Sequence, residues 1–141
     1  MEEVKLFVAG KAFIVYKKKV LIIRESTQYS EGTHAGKFDL PGGRLKPGER
    51  LEESMHREIF EETGLKMQIG KPLFVNESMP IVKNEKWQII RIFYMCVAET
   101  DKVLLSKDHD SYEWIIPSEY KKYSIIENLH PIFEEYLKQE F

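Results

Sequence analysis

The chain has 141 residues, of which 43% are hydrophobic and 31% charged, and its formal net charge is −2. We expect residues 1–141 to form one globular domain with one hydrophobic core. The near-neutral charge excludes a general attraction to nucleic acid or to anionic membranes, so any anionic ligand must be held by local groups or a metal.

The start of the chain does not resemble a targeting segment. It is acidic and lacks a basic region followed by a long apolar core. No apolar stretch approaches the roughly 20 residues needed to span a bilayer. We therefore expect a cytoplasmic protein with no membrane partner and no stable nucleic-acid partner. The one cysteine, Cys96, excludes an internal disulfide, and its apolar neighbours predict a buried side chain.

Two strands are predicted at the beginning of the chain. Leu6–Tyr16 and Val20–Arg24 are apolar, and the tight basic turn Lys17–Lys19 between them predicts a hairpin. The polar segment Glu25–Lys37 follows, and it is too long and too mixed for a simple turn. Loops of this length in compact domains are more often functional than accidental. The segment is therefore a candidate part of a functional site.

Backbone freedom is concentrated just before a predicted helix. Five of the eight glycines fall between Gly32 and Gly48. Pro47 and Gly48 then end the loop, and the helix is predicted from about Glu49 to Thr63. Gly64 is placed where a left-handed helix C-cap is expected.

The second half of the chain is predicted to contain more strands and a final helix. Extended segments at Met67–Met79 and Trp87–Ala98 are joined by the polar connection Val82–Lys86. Val103–Ser106 and Tyr112–Ile116 are shorter strand candidates. Apolar side chains at helical spacing predict the last helix at about residues 128–139. This pattern predicts an α/β (α+β) fold, a mixed sheet with helices packed on it.

The predicted helix in the middle of the chain carries carboxylates on the side that should face the core. On a wheel turning 100° per residue, Glu62 lies at about 40° and Glu61 at about −60° from Glu58. Two carboxylates about 5 Å apart repel by roughly 3 kcal/mol at an effective dielectric near 20. A hard cation such as Mg²⁺ or Mn²⁺ would neutralise this cluster, and an accidental acidic helix is the alternative.

The same segment resembles the Nudix box. That motif has a glycine, five residues, a glutamate, seven residues, and then Arg-Glu-aliphatic-any-Glu-Glu-any-Gly-aliphatic. It is met without departure by Gly43, Glu49, Arg57, Glu58, Ile59, Glu61, Glu62, Gly64 and Leu65. The resemblance implies a Nudix-type α/β/α sandwich with a mixed β-sheet and the catalytic helix at about residues 49–63. It also implies metal-dependent hydrolysis of a diphosphate bond in a nucleoside diphosphate linked to another moiety.

The resemblance implies a role for each acidic residue of the box. Glu58, Glu61 and Glu62 are similar to the family's metal-binding glutamates, and Glu58 by its position is also similar to the base that deprotonates the attacking water. Arg57 resembles the arginine that orients these carboxylates. Glu49 matches the outer glutamate that supports the metal shell. The implied cofactor is Mg²⁺, which Mn²⁺ can replace.

Two further metal ligands are expected outside the acidic part of the box. The carbonyl of Gly42, in the Pro-Gly-Gly turn, is one. Family members often add an acid from a later loop, where this chain has Asp108, Asp110 and Glu113. Asp108 is favoured among them, although an ordinary solvated turn is the alternative for each. His109 is expected to be a loop residue and not a ligand.

Substrate selection is expected to come from residues outside the box. Side chains that could stack on a base or bind phosphate are Tyr29, His34, Lys37, Arg44, Trp87 and Arg91. Phe38 and Trp114 are instead expected to pack in the core.

The substrate class is left open between several small nucleotides. Pro80 follows Leu65 by 15 residues, a spacing associated in this family with ADP-ribose pyrophosphatases, although a proline is also a common turn former. ADP-ribose or a nucleotide sugar and nucleoside triphosphates are the leading candidates. The alternative to an enzyme is a non-catalytic nucleotide-binding regulatory module on the same fold. An isomerase of the same fold would need a catalytic cysteine in a loop, which Cys96 does not supply. The sequence also leaves open whether the protein forms a homodimer.

Overall fold

The computed structural model describes residues 3–27 and 34–139. They form eight β-strands, two α-helices and two 3₁₀ turns, the latter at Pro117–Lys122 and Glu127–Leu129. The strands and helices are β1 (Val4–Tyr16), β2 (Lys19–Glu25), β3 (Phe38–Asp39), β4 (Gly42–Arg44), α1 (Leu51–Thr63), β5 (Met67–Ser78), β6 (Ile81–Val82), β7 (Glu85–Ala98), β8 (His109–Ile115) and α2 (His130–Lys138).

The strands form one mixed sheet, as predicted. Its main path runs β3-β2-β1-β7-β5, while β4 pairs with β1, β6 with β7 and β8 with β2. The central pair β1 and β7 is parallel, and the other pairs are antiparallel. Because β4 is hydrogen-bonded to the middle of β1, the Pro-Gly-Gly turn lies against the centre of the sheet.

Each face of the sheet is covered by one helix, which confirms the α/β/α arrangement. Ala12 and Ile14 of β1 pack with Met55 and Ile59 of α1. Phe13, between them in the chain, packs on the other face against the side chains of α2. This alternation follows from the strand geometry, in which successive side chains point to opposite faces.

The turns that join β1 to β2 and β6 to β7 share one geometry. Lys17 and Lys18 have φ values of 48° and 67°, and Lys83 and Asn84 have values of 50° and 66°. Positive φ at both central residues is the geometry of type I′ turns, whose twist matches that of antiparallel strands. The predicted hairpin between β1 and β2 is confirmed. Part of the predicted connection 82–86 belongs instead to β6 and β7.

Helix α1 begins two residues later than predicted and ends as predicted. Gly48 has φ 89°, and the N–H of Glu49 donates to the carbonyl of Lys46 in a turn, so the helix starts only at Leu51. At the other end Gly64 has φ 71°, and its N–H donates to the carbonyl of Phe60. This left-handed glycine cap is the one that the sequence predicted.

The prediction of a strand at Val103–Ser106 is wrong. The N–H of Leu104 donates to the carbonyl of Thr63, and the N–H of Ser106 to that of Glu62. These residues therefore satisfy the open carbonyls at the end of α1 and pair with no strand. The segment consequently places residues 106–109 beside the carboxylates of α1.

The remaining boundaries shift by a few residues. Strand β8 starts at His109 and not at Tyr112, because its pairing with β2 extends to Glu25. Helix α2 starts at His130, after a 3₁₀ turn. Cys96 is fully buried, as predicted. Within residues 3–27 and 34–139, no helix is long and apolar enough to span a bilayer.

Candidate active site

One cavity of about 960 Å³ lies beside the C-terminal half of α1. Its walls come from the first half of β1, from β4 with the turn that follows it, from α1, and from residues 106–109. Three glutamates of the box face it, namely Glu58, Glu61 and Glu62. Gly42, Arg44 and Asp108, also expected at the site, line the same cavity.

Two glycines allow β4 to approach both β1 and α1. Gly42 has φ +131°, and a Cβ there would lie 2.2 Å from the carbonyl oxygen of Gly10. At Gly43 a Cβ would lie 2.9 Å from the carboxylate of Glu58. At Gly42 only glycine fits without displacing β4, whereas a Cβ at Gly43 would displace the carboxylate of Glu58. The box glycine is therefore needed for the close approach of the carboxylate to the strand.

Glu62 is the most buried of the three carboxylates. Its side chain is 16% exposed, against 59% for Glu61. The N–H of Gly42 donates to Oε1 of Glu62 at 2.8 Å. Burial raises the pKa of Glu62 to about 8, although the nearby Lys11 ammonium and the Gly42 N–H act in the opposite direction. A buried carboxylate of this kind is stabilised by a neighbouring cation.

Arg57 contacts three of the other carboxylates. Its Nε and Nη2 donate to the two oxygens of Glu49 at 2.9 and 3.0 Å, which is a bidentate pair. Its Nη1 lies 3.2 Å from Oε1 of Glu58 and 3.4 Å from Oε2 of Glu61. The hydrogen bonds from Arg57 hold the pKa of Glu49 at about 2. Glu49 does not line the cavity, and Arg57 links it to Glu58 and Glu61.

The donor set fits a hard divalent cation. Carboxylate and carbonyl oxygens are the ligands that Mg²⁺ and Mn²⁺ prefer, and Glu58, Glu61, Glu62 and the Gly42 carbonyl supply them. In the described parts of the chain, no three acidic, histidine or cysteine side chains already converge as a metal site. Glu58 and Glu61 contact Arg57, whose positive charge offsets part of the negative charge of these two carboxylates.

Lys11, Asp39 and His109 line the cavity, and the sequence analysis did not identify them as part of the site. Lys11 of β1 is 9% exposed, and its Nζ lies 3.2 Å from Oδ2 of Asp39 and 3.5 Å from the carbonyl oxygen of Gly42. The expectation that His109 is a loop residue is wrong, because it begins β8. Its Nε2 lies 3.7 Å from Oε2 of Glu62, and burial lowers its pKa. The sequence offered one signal for Lys11, because it is a lysine within the otherwise apolar run of β1.

The three acidic residues of the later loop, Asp108, Asp110 and Glu113, have different surroundings in the structure. Asp110 forms an ion pair with Arg24, with 2.7 Å between Oδ1 and Nε, and Glu113 is exposed on β8 away from the cavity. Asp108 is half-buried and lines the cavity. It is the one of the three acids whose position suits a metal ligand.

The predicted substrate residues are not all brought together. Arg44 lines the cavity, and Trp87 contacts Arg44 without lining it. Lys37 is exposed and outside the cavity. Arg91 is half-buried on β7, where its Nη1 donates to Oγ of Ser78. Tyr29 lies outside the described residues.

The other residues considered for base stacking have structural contacts. The backbone N–H of His34 donates to Oε1 of Glu25. Phe38 packs against the core on the α2 side, and Trp114 packs against the core on the α1 side. The prediction that these last two side chains are packing residues is confirmed.

Comparison with known sequences gives a consistent result. The model of the NUDIX domain matches residues 7–136. The nucleoside triphosphatase NudI of Salmonella arizonae is 26% identical over 103 residues, which covers 68% of this chain and 73% of that protein. NudI of Escherichia coli O1:K1 is 27% identical over 107 residues, covering 67% and 72% of the two chains.

Comparison with solved structures agrees. The MutT protein from Methanosarcina mazei Go1 has a TM-score of 0.80 and 28% identity, covering 98% of this chain and 97% of that one. A NUDIX hydrolase from Nitrosomonas europaea has a TM-score of 0.75 and 22% identity, covering 95% and 90%. At 22% identity, the second match shows a similarity of fold alone.

Proposed function

This chain belongs to the Nudix family, a family of pyrophosphohydrolases that act on nucleoside diphosphate derivatives and generally need a divalent metal, and we propose that its substrates are nucleoside triphosphates. The proposed cofactor is Mg²⁺, with Mn²⁺ as a substitute. The observation that carries the proposal is the buried carboxylate of Glu62, which faces the cavity together with Glu58 and Glu61. The names of the NudI relatives support the triphosphate as the substrate class.

Each residue of the site has a proposed task in the reaction. Glu58 accepts a proton from a water molecule, whose oxygen forms a bond to one phosphorus. The bond from that phosphorus to the bridging oxygen breaks, and the second product leaves as a phosphate or diphosphate anion. A divalent metal, when bound, lowers the pKa of water and offsets negative charge on the phosphate oxygens.

The other charged residues hold this arrangement in place. Glu61, Glu62, Asp108 and the Gly42 carbonyl are the proposed metal ligands beside Glu58. Arg57 orients Glu58 and Glu61 through the contacts described above, and Glu49 fixes Arg57. Lys11 adds a positive charge on the cavity wall near Glu62.

The spacing of Pro80 does not favour ADP-ribose as the substrate, because Pro80 does not line the cavity. It follows the end of β5, and its carbonyl accepts a hydrogen bond from the N–H of Trp87 at 2.9 Å. A proline at the end of a strand is also a common turn former.

The test is a hydrolysis panel run with Mg²⁺, with Mn²⁺ and with a chelator. It includes normal and oxidised nucleoside triphosphates, ADP-ribose, nucleotide sugars and dinucleoside polyphosphates. We expect triphosphates to be hydrolysed with metal and not with chelator. Glu58→Gln and Glu62→Gln should each reduce kcat by about 10²–10³-fold, a typical loss when a group acting on the transition state is removed.

Glu53→Gln is the matched control, since Glu53 is an exposed glutamate in the first turn of the same helix. It should behave like the parent protein. Metal should raise the melting temperature of the parent more than that of the Glu62→Gln variant. Tight metal-dependent binding of a nucleotide without turnover of any compound would instead support the non-catalytic module.

A further inference from the structure

An arginine that contacts two aromatic rings lies on the wall of the cavity. The guanidinium carbon of Arg44 is 4.6 Å from the ring centroid of Phe7 and 4.8 Å from that of Trp87. The two ring centroids are only 4.6 Å apart. A guanidinium sandwiched between the rings would hold them about 9 Å apart. The rings therefore do not sandwich the guanidinium, and no other aromatic ring of the described residues contacts it.

The guanidinium is also free of other polar partners. Among the residues that the structure describes, no side chain or carbonyl accepts a hydrogen bond from Arg44, and no carboxylate forms an ion pair with it. The side chain is exposed. A planar, weakly hydrated cation held in this way is prepared for a second stacking contact.

The position of this platform relative to the charged part of the cavity follows from the strand register. Arg44 pairs with Ala9 of β1, and Phe7 and Lys11 are the residues two before and two after Ala9. All of them therefore lie on the same face of the sheet, and Arg44 is about 7 Å along the strand from Lys11. Gly10 faces the other way, toward Met55 of α1.

We propose that the Arg44 guanidinium, supported by Phe7 and Trp87, is the platform on which the base of the nucleotide stacks. The phosphates then extend along β1 toward Lys11 and the carboxylates of α1. This assignment rests on the proposed function, and it names the residue that distinguishes a nucleotide from a bare polyphosphate. Every base has a flat face, so such a platform accepts several bases.

The first test compares the kinetics of nucleoside triphosphates with those of inorganic tripolyphosphate, which has no base. Arg44→Lys keeps the charge and removes the planar face, while Arg44→Met removes both. We expect both variants to raise KM for the nucleotide about tenfold or more, from the usual range for loss of one stacked base. The rise in KM for tripolyphosphate should be several times smaller. Lys71→Met, an exposed lysine on β5 outside the cavity, is the control for loss of a charge.

The second test measures binding without turnover. Trp87 and Trp114 are the two tryptophans of the chain, so Trp114→Phe leaves Trp87 as the one fluorescent tryptophan. A methylene-bridged nucleoside triphosphate, which resists hydrolysis, should change the emission of Trp87 and tripolyphosphate should change it much less. Adding Arg44→Lys should abolish most of the change.

The possible outcomes separate the two proposals. Arg44→Lys behaving like the parent while Arg44→Met weakens both compounds equally would make Arg44 a phosphate contact and overturn the platform. Unchanged nucleotide KM in both variants would overturn it as well. If the parent hydrolyses no nucleotide, the proposed function fails, and the Trp87 titration still decides whether the platform binds a base.

Discussion

Replacing Gly42 by alanine should damage stability and activity together. The residue has φ +131°, and an added Cβ would lie 2.2 Å from the carbonyl oxygen of Gly10 and 2.8 Å from the Cα of Lys11. Both atoms belong to the backbone of β1 and cannot rotate away. Strand β4 must therefore move by about 1 Å to restore an ordinary contact.

The expected loss of stability has two parts. A disfavoured backbone conformation costs about 1–3 kcal/mol, and forced displacement in a packed region costs about 1–3 kcal/mol. The Gly42→Ala variant should therefore lose about 4 kcal/mol of unfolding free energy. Gly48→Ala is the matched control, because Gly48 has φ +89° and nothing lies within 4 Å of its added Cβ. It should show the backbone cost alone.

The measurement is urea unfolding of both variants and the parent in the presence of chelator, so that metal binding does not contribute. Turnover is measured in parallel with metal. Because Gly42 donates to Glu62, a shift of about 1 Å should reduce kcat about 100-fold. Equal unfolding free energies for the Gly42→Ala and Gly48→Ala variants would refute the argument from the close approach of β4 to β1.

Three further predictions concern the rest of the fold. Replacing Lys17-Lys18, both at positive φ, by Asn-Gly should raise the unfolding free energy by about 1 kcal/mol, and no rise in a urea titration would contradict the turn geometry. Burial raises the pKa of the Cys96 thiol to about 12 from 9.0, so at pH 8 its thiolate fraction falls about 1000-fold. Alkylation followed by mass spectrometry should therefore be fast only after unfolding, and rapid modification of the native protein would contradict the burial. Phe133 is fully buried against Phe13, and Phe133→Ala should cost about 3–5 kcal/mol in calorimetry or urea unfolding, while a loss below about 1 kcal/mol would contradict this packing.

The sequence alone was sufficient to predict features that depend on residues close together in the chain. The end of α1 at Gly64 was predicted because a left-handed cap needs only the glycine and the turn before it. The hairpin between β1 and β2 was predicted from two apolar runs and a short basic turn. The carboxylates of the box share one side of α1 because their spacing of three and four residues is fixed by the helical period.

Features that depend on distant parts of the chain required the tertiary structure. Lys11, Asp39 and His109 meet at the cavity because the strands that carry them, β1, β3 and β8, all pair with β2. The pairing of Asp110 with Arg24 leaves Asp108 as the acid at the cavity.

The same limit explains why the strand at residues 103–106 was predicted wrongly and why the contacts of Arg44 could not be predicted. Residues 103–106 have a strand-like composition, yet their N–H groups bond to the end of α1, which nothing in the local sequence indicates. The stack of Arg44 on Phe7 and Trp87 brings together residues from three strands. Local sequence determines the chemical type of each segment and the conformation of helix caps and tight turns. The sheet order decides which segments become neighbours, because the free energy of those contacts belongs to pairs of residues far apart in the chain.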